Sequence, residues 1–388
     1  MSQSPTKVLQ VIADFKKGGI QADVMYPARI LSKDDVHFDV MLFTDKVEYY
    51  EEEFSRYGNI YRIPIYRKSN KISRALAIFT NYSYVKKHMV EFFSTHEKYD
   101  AIHARHILYN APCISAAHKV NIPVRIAHCH MNRPKGNLYK DWFFVKFYYW
   151  VCARVLNRKA THRFGVTSNA VEYMFGSKDK GIVVKNPTVD LSKFDPKLYP
   201  VDTAERINLI LVGSYSSRKN QRFAAEILYE LLKTKPDSHL TFIGYPRSEK
   251  EDYLPKLIEY VHEAGMDASV EFLPQDTNVA EALSKSTIML IPSLQEGLPN
   301  VALEAQAMGV PCFLSTDVSD DCNCGICTFL PLDKGVKFWA DEIIKYIHKN
   351  GYDKQYIDMS SWDNKKVSKM YLEYWRGKPM TNDYEEII

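Results

Sequence analysis

Cysteine, glycine and long apolar runs are all scarce in this 388-residue chain, and each scarcity removes a class of protein. The seven cysteines (113, 129, 152, 312, 322, 324 and 327) are odd in number and widely spread, unlike the dense, even framework of a small secreted domain, so reduced thiols are expected. Only 16 glycines and 18 prolines exclude collagenous and low-complexity classes. The most apolar stretch, Trp142 to Cys152, is broken by Lys146 and flanked by Lys140 and Arg154, too short and too charged to span a bilayer. The start, MSQSPTKVLQVIADFKKGG, lacks the apolar core of a secretory signal, which predicts a cytoplasmic protein. The dinucleotide fingerprint G-x-G-x-x-G is absent. Cys322-x-Cys324-x-x-Cys327 has no histidine in its interval and falls short of a zinc site, while Asp34-Asp35 and Asp320-Asp321 read as loop charges. No metal and no bound cofactor are expected.

What is present describes a globular protein: 46% hydrophobic and 25% charged residues, in a chain long enough for two domains of ordinary size. The net charge of +4 hides an asymmetry. Residues 1–200 carry 31 lysines and arginines against 18 acids, and the remainder 20 against 29. The bias peaks between 101 and 165, where Arg105, Lys119, Arg125, Arg133, Lys135, Lys140, Lys146, Arg154, Arg158, Lys159 and Arg163 face a single acid, Asp141. Nucleic acid or an anionic lipid leaflet would each suit such a surface. The interleaved Tyr139, Trp142, Phe143, Phe144, Phe147, Tyr148, Tyr149 and Trp150 favour the leaflet over nucleic acid, because aromatic rings sit well at a headgroup boundary. The plainer alternative is a core helix with solvated lysines.

Strands and helices alternate along the chain. KVLQVIA (Lys7 to Ala13) is a short apolar run suited to a buried parallel strand, followed by Gly18-Gly19 and a helix from Gln21 to about Leu31. Further strands are predicted at His37 to Phe43, Tyr61 to Pro64, Ala101 to His103, Val124 to His128 and Phe164 to Thr167. After an irregular stretch from about 186 to 204 a second series follows: Ile207 to Val212, Leu240 to Ile243, Val270 to Leu273 and Ile288 to Ile291. The pattern predicts an α/β protein of two Rossmann-like, doubly wound parallel-sheet domains, 1–190 and 191–364, facing a central cleft.

The most informative segment is PSLQEGLPNVALEAQAMGVP, Pro292 to Pro311. A strand ends, a loop turns, and a helix runs from about Pro299, which suits the first helical position, to Met308, with Gly309 and Pro311 stopping it. Gly297 permits close backbone approach, and the free amides of Leu298, Asn300 and Val301, which flank Pro299, form an anion site with the positive end of the helix dipole. Glu296 and Glu304 would repel a bare phosphate unless they accept hydrogen bonds from hydroxyls. A ligand that is a diphosphate flanked by a sugar and a ribose meets both demands, and that is a nucleotide sugar.

These motifs resemble the retaining glycosyltransferases of family 4 (group 1), which have the GT-B fold, and within them the branch that makes bacterial capsules and exopolysaccharides. The resemblance covers most of the chain through KVLQVIADFKKGGIQ, RIAHCHMN, ATHRFGVTSNAVEYMFG, VGSYSSRKNQRF and EGLPNVALEAQAMGVP. It implies that Glu296 meets the transferred sugar and Glu304 the nucleotide ribose. It also implies that Gly213 and Lys219 belong to a donor loop whose family pattern, G-R-x-x-x-x-K, neutralises the diphosphate. The arginine position here is Ser214, and Arg218 is the substitute for the missing charge. The resemblance places His128 or His130 near the reacting sugar and acceptor, and Gly18 and Gly19 at the diphosphate or acceptor; His103 and His106 are left as structural. The expected activity is retaining transfer from a nucleotide sugar, a UDP-sugar, to a lipid-linked or oligosaccharide acceptor at the inner face of the membrane, without metal. An epimerase or phosphorylase on the same fold, or a non-catalytic membrane or nucleic-acid adaptor, stands as the alternative. The segment near Trp362 to Trp375, within a C-terminal stretch 365–388, resembles helices that pack back on the first domain.

Overall fold

The computed structural model describes residues 4–16, 18–65, 71–106, 108–131, 143–187, 189–200, 205–246 and 252–381; for 71–76, 78, 143 and 144 it describes the backbone alone. The chain divides into two compact units, one of Met1–Thr188 with Trp362–Ile388 and one of Val189–Ser361.

The first unit contains strands β1 (Thr6–Ile12), β2 (Val36–Leu42), β3 (Gly58–Arg62), β4 (Ala101–Ala104), β5 (Val124–Cys129), β6 (His162–Gly165) and β7 (Ile182–Val183). Its helices are α1 (Gly19–Ile30), α2 (Glu51–Phe54), α3 (Lys71–Thr95), α4 (Asn110–Lys119), α5 (Phe143–Lys159) and α6 (Ser168–Phe175), with the last helix of the chain. All strand pairs are parallel, in the order β3-β2-β1-β4-β5-β6-β7. The second unit contains β8 (Asn208–Val212), β9 (His239–Gly244), β10 (Val270–Pro274), β11 (Ile288–Ile291), β12 (Cys312–Ser315) and β13 (Cys327–Leu330). Its helices are α7 (Gln221–Leu232), α8 (Tyr253–Glu263), α9 (Val279–Ser284), α10 (Asn300–Ala307) and α11 (Gly335–Asn350); α12 (Asn364–Trp375) returns to the first unit. The second sheet is again parallel, ordered β10-β9-β8-β11-β12-β13.

Parallel strands covered on both faces need apolar residues at every position rather than at alternate ones. Val8, Leu9, Val11 and Ile12 of β1, and Ile288 to Leu290 of β11, are accordingly fully buried. The strands β7, β12 and β13 went unread in the sequence: β7 is two residues long, and CFLS and CTFL each break the apolar pattern with a polar residue. Helix α12 packs Val367, Met370, Tyr371, Tyr374 and Trp375 into the core formed by Val8, Phe38 and Ile126.

Both sheets reverse strand order beside their first strand, at β1/β4 and at β8/β11. In such sheets the loops leaving the carboxyl ends of those two strands diverge and leave a crevice. In the second unit these are the loops after Val212 and after Ile291, so the two motifs 80 residues apart in sequence meet at one switch point.

Candidate functional site

The loop following β8 is shaped by two glycines. Gly213 has φ of 155°, and the stem of Lys219 lies over it: a β-carbon there would come 3.1 Å from Lys219 Cε. Gly244, at the end of β9, lets the Gly213 carbonyl approach to a point 2.1 Å from where its own β-carbon would sit. Gln221 Nε2 donates to the Ser214 carbonyl at 3.0 Å, and Asn220, in the left-handed region at φ 59°, starts α7. This loop is laced to the one after β11. The Leu294 amide donates to the Arg218 carbonyl at 2.9 Å, and Asn220 Nδ2 donates to the Pro292 carbonyl at 3.1 Å.

The lacing brings Lys219 to Glu296, with Nζ 2.7 Å from Oε1 and both side chains largely buried. Ser293 Oγ donates to the same oxygen at 3.3 Å. Burial alone would raise the Glu296 pKa, but the charges of Lys219 and Arg218 and the hydrogen bonds from Lys219 and Ser293 outweigh it and hold the carboxyl below its usual range. Arg218 is exposed and acts on Glu296 through its charge. Ser214 supplies a backbone acceptor and no charge.

Helix α10 begins one residue later than the sequence suggests. Pro299 is its N-cap, with ψ of 104° in the extended region, and Asn300 is the first helical residue. No side chain caps this end and no acid lies in its first turn, so the leading amides are left for a ligand, as anion sites at helix starts require. Gly309 at φ 70° closes the helix. Asn300 Oδ1 is buried without a hydrogen-bond partner among the described residues. Glu304, one turn in, is half-buried with no partner for its carboxylate among the described residues, and desolvation pushes its pKa up to about 7. Gly297, Leu298 and Val301 are half-buried around this end. Behind α10, Gln306 bridges to the Cys322 carbonyl and the Cys324 amide, at 2.8 Å each. Contact with Cys327 and burial raise the Cys322 thiol, which suits a packed structural role. No cluster of three or more His, Cys, Asp or Glu able to hold a metal occurs among the described residues.

In the first unit Gly18 is the N-cap of α1 and Gly19 its first residue, two positions before the helix read from sequence. Gln21 ties the preceding loop by donating to Asp14 Oδ1 at 2.7 Å. His128, in β5, is fully buried, and His130 follows the strand on the same side, as alternation requires, their ring centroids 4.0 Å apart. His130 Nδ1 lies 3.2 Å from Asp23 Oδ2 of α1. Desolvation lowers the pKa of both imidazoles, opposed at His130 by Asp23. Around them are Gln10, Asp23 and Arg105, to which the sequence gave no site role, and His103, left there as structural, all at most 2% exposed. Arg105 Nη1 donates to Gln10 Oε1. The Nε2 atoms of His128 and His130, Asp23 Oδ1, and Arg105 Nε and Nη2 are buried without hydrogen-bond partners among the described residues. Such a concentration of unpaired polar groups is uncommon in a core. One signal was available: Asp23 is an acid on the apolar face of α1, and Arg105 a cation directly after an apolar strand.

The basic aromatic segment resolves in part. Arg133, Lys135, Tyr139, Lys140, Asp141 and Trp142 lie outside the described residues. Along α5, Val145, Tyr148, Cys152 and Leu156 are buried, so Tyr148 is a core residue rather than an interfacial one. The opposite face exposes Lys146, Phe147, Trp150, Arg154 and Arg158. No helix among the described residues is long and apolar enough to cross a membrane.

Comparison with known proteins bears on this site. Residues 206–349 match the family described as Glycosyl transferases group 1, a span that includes both loops and α10. The chain is 24% identical over 360 residues to the putative glycosyltransferase EpsF of Bacillus subtilis, covering 89% of this chain and 88% of that one. It is 25% identical over 243 residues to the Escherichia coli UDP-Gal:alpha-D-GlcNAc-diphosphoundecaprenol alpha-1,3-galactosyltransferase, covering 58% and 60%. Its fold is similar to that of Anabaena HepE, crystallised with UDP, at a TM-score of 0.67 and 14% identity over 98% and 97% of the chains. Two Rossmann-like parallel-sheet domains are therefore the shared architecture.

Proposed function

We infer, for a chain that belongs through residues 206–349 to the group 1 glycosyltransferases and is an enzyme of that class, that it transfers a sugar with retention from a UDP-sugar to a lipid-linked glycan during capsule, exopolysaccharide or cell-envelope polysaccharide synthesis. The observation that carries this is the meeting of Lys219 with Glu296 beside the uncapped start of α10. A diphosphate seated on the amides of Gly297, Leu298, Asn300 and Val301 is neutralised by Lys219, held in place before the ligand arrives by its contact with Glu296, and by the nearby charge of Arg218, so no metal is required. Glu296 accepts hydrogen bonds from hydroxyls of the transferred sugar. Glu304 accepts from the ribose. As the bond from the anomeric carbon to the diphosphate breaks, the acceptor oxygen bonds to the same face of that carbon, and its proton passes to a diphosphate oxygen. Within the first unit, His128 and His130 are the side chains offered to substrate oxygens, and Gly18 and Gly19 leave the amides at the start of α1 open to the acceptor. The undecaprenol-linked substrate named for the Escherichia coli relative supports a lipid-linked acceptor.

The test is a thermal-shift screen of the purified protein against UDP, GDP and their sugars, because a ligand that binds the folded state raises its stability by mass action. UDP and one UDP-sugar should stabilise the wild type, and Glu304→Ala should abolish the shift. Absence of any nucleotide-dependent shift would end this reading. Incubation of the donor without acceptor separates the rival activities: an epimerised nucleotide sugar identifies an epimerase, and sugar phosphate formed with added phosphate identifies a phosphorylase.

The exposed face of α5 supports a second element, peripheral attachment to an anionic membrane surface at its inner face. Phe147 and Trp150 are 46% and 54% exposed, and Arg154 stacks 4.7 Å over the Trp150 ring. With no acid in the helix, each cation near an anionic leaflet contributes about 1 kcal/mol.

A further inference from the structure

Three rings far apart in the chain form one line of hydrogen bonds inside the first unit. Trp375 of α12 donates its indole N–H to Nδ1 of His103 in β4, at 3.2 Å. His103 Nε2 lies 3.2 Å from Nδ1 of His128 in β5. The line ends at His128 Nε2, which is buried and has no partner among the described residues.

The chemistry of the groups fixes where each proton sits. An indole N–H can only donate, so His103 Nδ1 must present a lone pair. A proton on that nitrogen would set two donors against each other at a residue with no exposure to water. His103 is therefore neutral with its proton on Nε2, which it donates to His128. His128 Nδ1 must then be unprotonated, and the remaining proton of its neutral ring is on Nε2. Trp375 cannot turn away, because its ring is packed edge-on against Phe38 at 5.3 Å and stacked on Tyr371 at 5.7 Å.

We propose that Trp375 and His103 are positioning residues that hold His128 in a single tautomer with its proton on Nε2, so that this ring can only donate a hydrogen bond to a substrate that reaches it and cannot serve as a base. This rests on the reading of His128 as a substrate contact. It assigns to helix α12 a role beyond filling the core, since a residue 272 positions from His103 sets the protonation of the site. It also agrees with a transfer in which the acceptor proton goes to the diphosphate. In the other tautomer Nε2 would present a lone pair, able to accept from a hydroxyl but unable to donate to a substrate oxygen, and loss of the correct tautomer is costly wherever an imidazole's orientation matters.

Nitrogen NMR of the full-length protein labelled with 15N-histidine tests the tautomer directly, with His103→Gln and His128→Gln used for assignment. The expected spectrum shows unprotonated Nδ1 and protonated Nε2 at both His103 and His128. A protonated Nδ1 at His128, or shifts averaged between tautomers, overturns the proposal without recourse to any variant's folding. Kinetics supply the second arm. His103→Leu, which cannot donate to His128, should lower kcat about tenfold, the scale of one lost hydrogen bond, with the donor KM changed less than about twofold. His103→Gln, whose amide N–H reaches the same nitrogen, should recover most of that loss; equal losses in both variants overturn the proposal. If His128→Ala transfers sugar at the wild-type rate, the substrate contact is wrong and this proposal falls with it. The nucleotide-binding assignment in the second unit survives that outcome, being read by a separate thermal shift.

Discussion

Lys219 Nζ sits 2.7 Å from Glu296 Oε1, an ion pair joining the loop after β8 to the loop after β11. Its geometry makes the pair more than a structural tie. The ammonium, with Arg218 and Ser293, keeps Glu296 ionised despite its burial and fixes the carboxylate between the two loops. Lys219→Met would strand a buried carboxylate, and breaking one side of such a pair costs about 3 kcal/mol. The expected outcome is a lower Tm and transfer reduced at least about a hundredfold, the scale of losing one electrostatic stabiliser of the leaving group. Adding Glu296→Gln should restore much of the Tm and none of the activity, as read by calorimetry and product formation.

Glu304 gives a pH dependence of defined sign. Its pKa in the folded protein is about 7, raised by desolvation. The unfolded chain ionises lower, so the folded state loses stability relative to it as pH rises from the usual carboxylate range through 7. Glu304→Gln should match the wild type near pH 5 and exceed its stability by about 2 kcal/mol at pH 8. Ribose hydroxyls donating to the carboxylate favour its ionised form, so UDP should bind more tightly at pH 8 than at pH 6 and release protons near pH 7. Calorimetric titration in buffers of different ionisation enthalpy measures this.

Gly244 is the steric key of the donor loop. A β-carbon there would meet the Gly213 carbonyl at 2.1 Å, so Gly244→Ala must displace the loop that carries Lys219. Overpacking of this kind costs about 1–3 kcal/mol. We expect a Tm loss together with weakened UDP binding, whereas Gly265→Ala, with open space around its β-carbon but a positive φ of 69°, should lose stability alone.

The α5 face predicts a separation of functions. Trp150→Ser with Arg154→Glu removes an exposed ring and reverses a charge while leaving buried Tyr148 and Cys152 in place. Sedimentation with vesicles containing anionic lipid should fall several-fold, and transfer to a water-soluble acceptor analogue should not change. Equal sedimentation of variant and wild type would remove the membrane reading.

Cations supplied by Lys219 and Arg218 make a further expectation simple. Transfer by the purified enzyme should persist in excess EDTA, and added magnesium should change kcat by less than about twofold. Loss of activity restored by a divalent ion would show that the two side chains do not suffice.

The local signals in this chain were legible because they are local. A run such as KVLQVIA, short, apolar and rich in β-branched residues, reads as a buried strand, and proline and glycine bracket α10 through their own backbone preferences, so two α/β domains and the Glu296–Glu304 motif follow from adjacent residues. Those signals err by a residue or two, as at Pro299 and Gly19, where the competition between capping and helical geometry is nearly balanced. They also miss strands such as CFLS and CTFL, whose polar members become acceptable through neighbours the segment does not contain. The partnerships were not legible at all. The side-chain pairings of Lys219 with Glu296, Asp23 with His130 and Trp375 with His103 are set by the tertiary structure, because the parallel strands, and the helices α1 and α12 packed on them, are ordered differently in space than along the chain. Ionisation belongs to the same category: Glu296 and Glu304 are identical side chains, and folding sends their pKa values in opposite directions by pairing one with cations and leaving the other desolvated and alone.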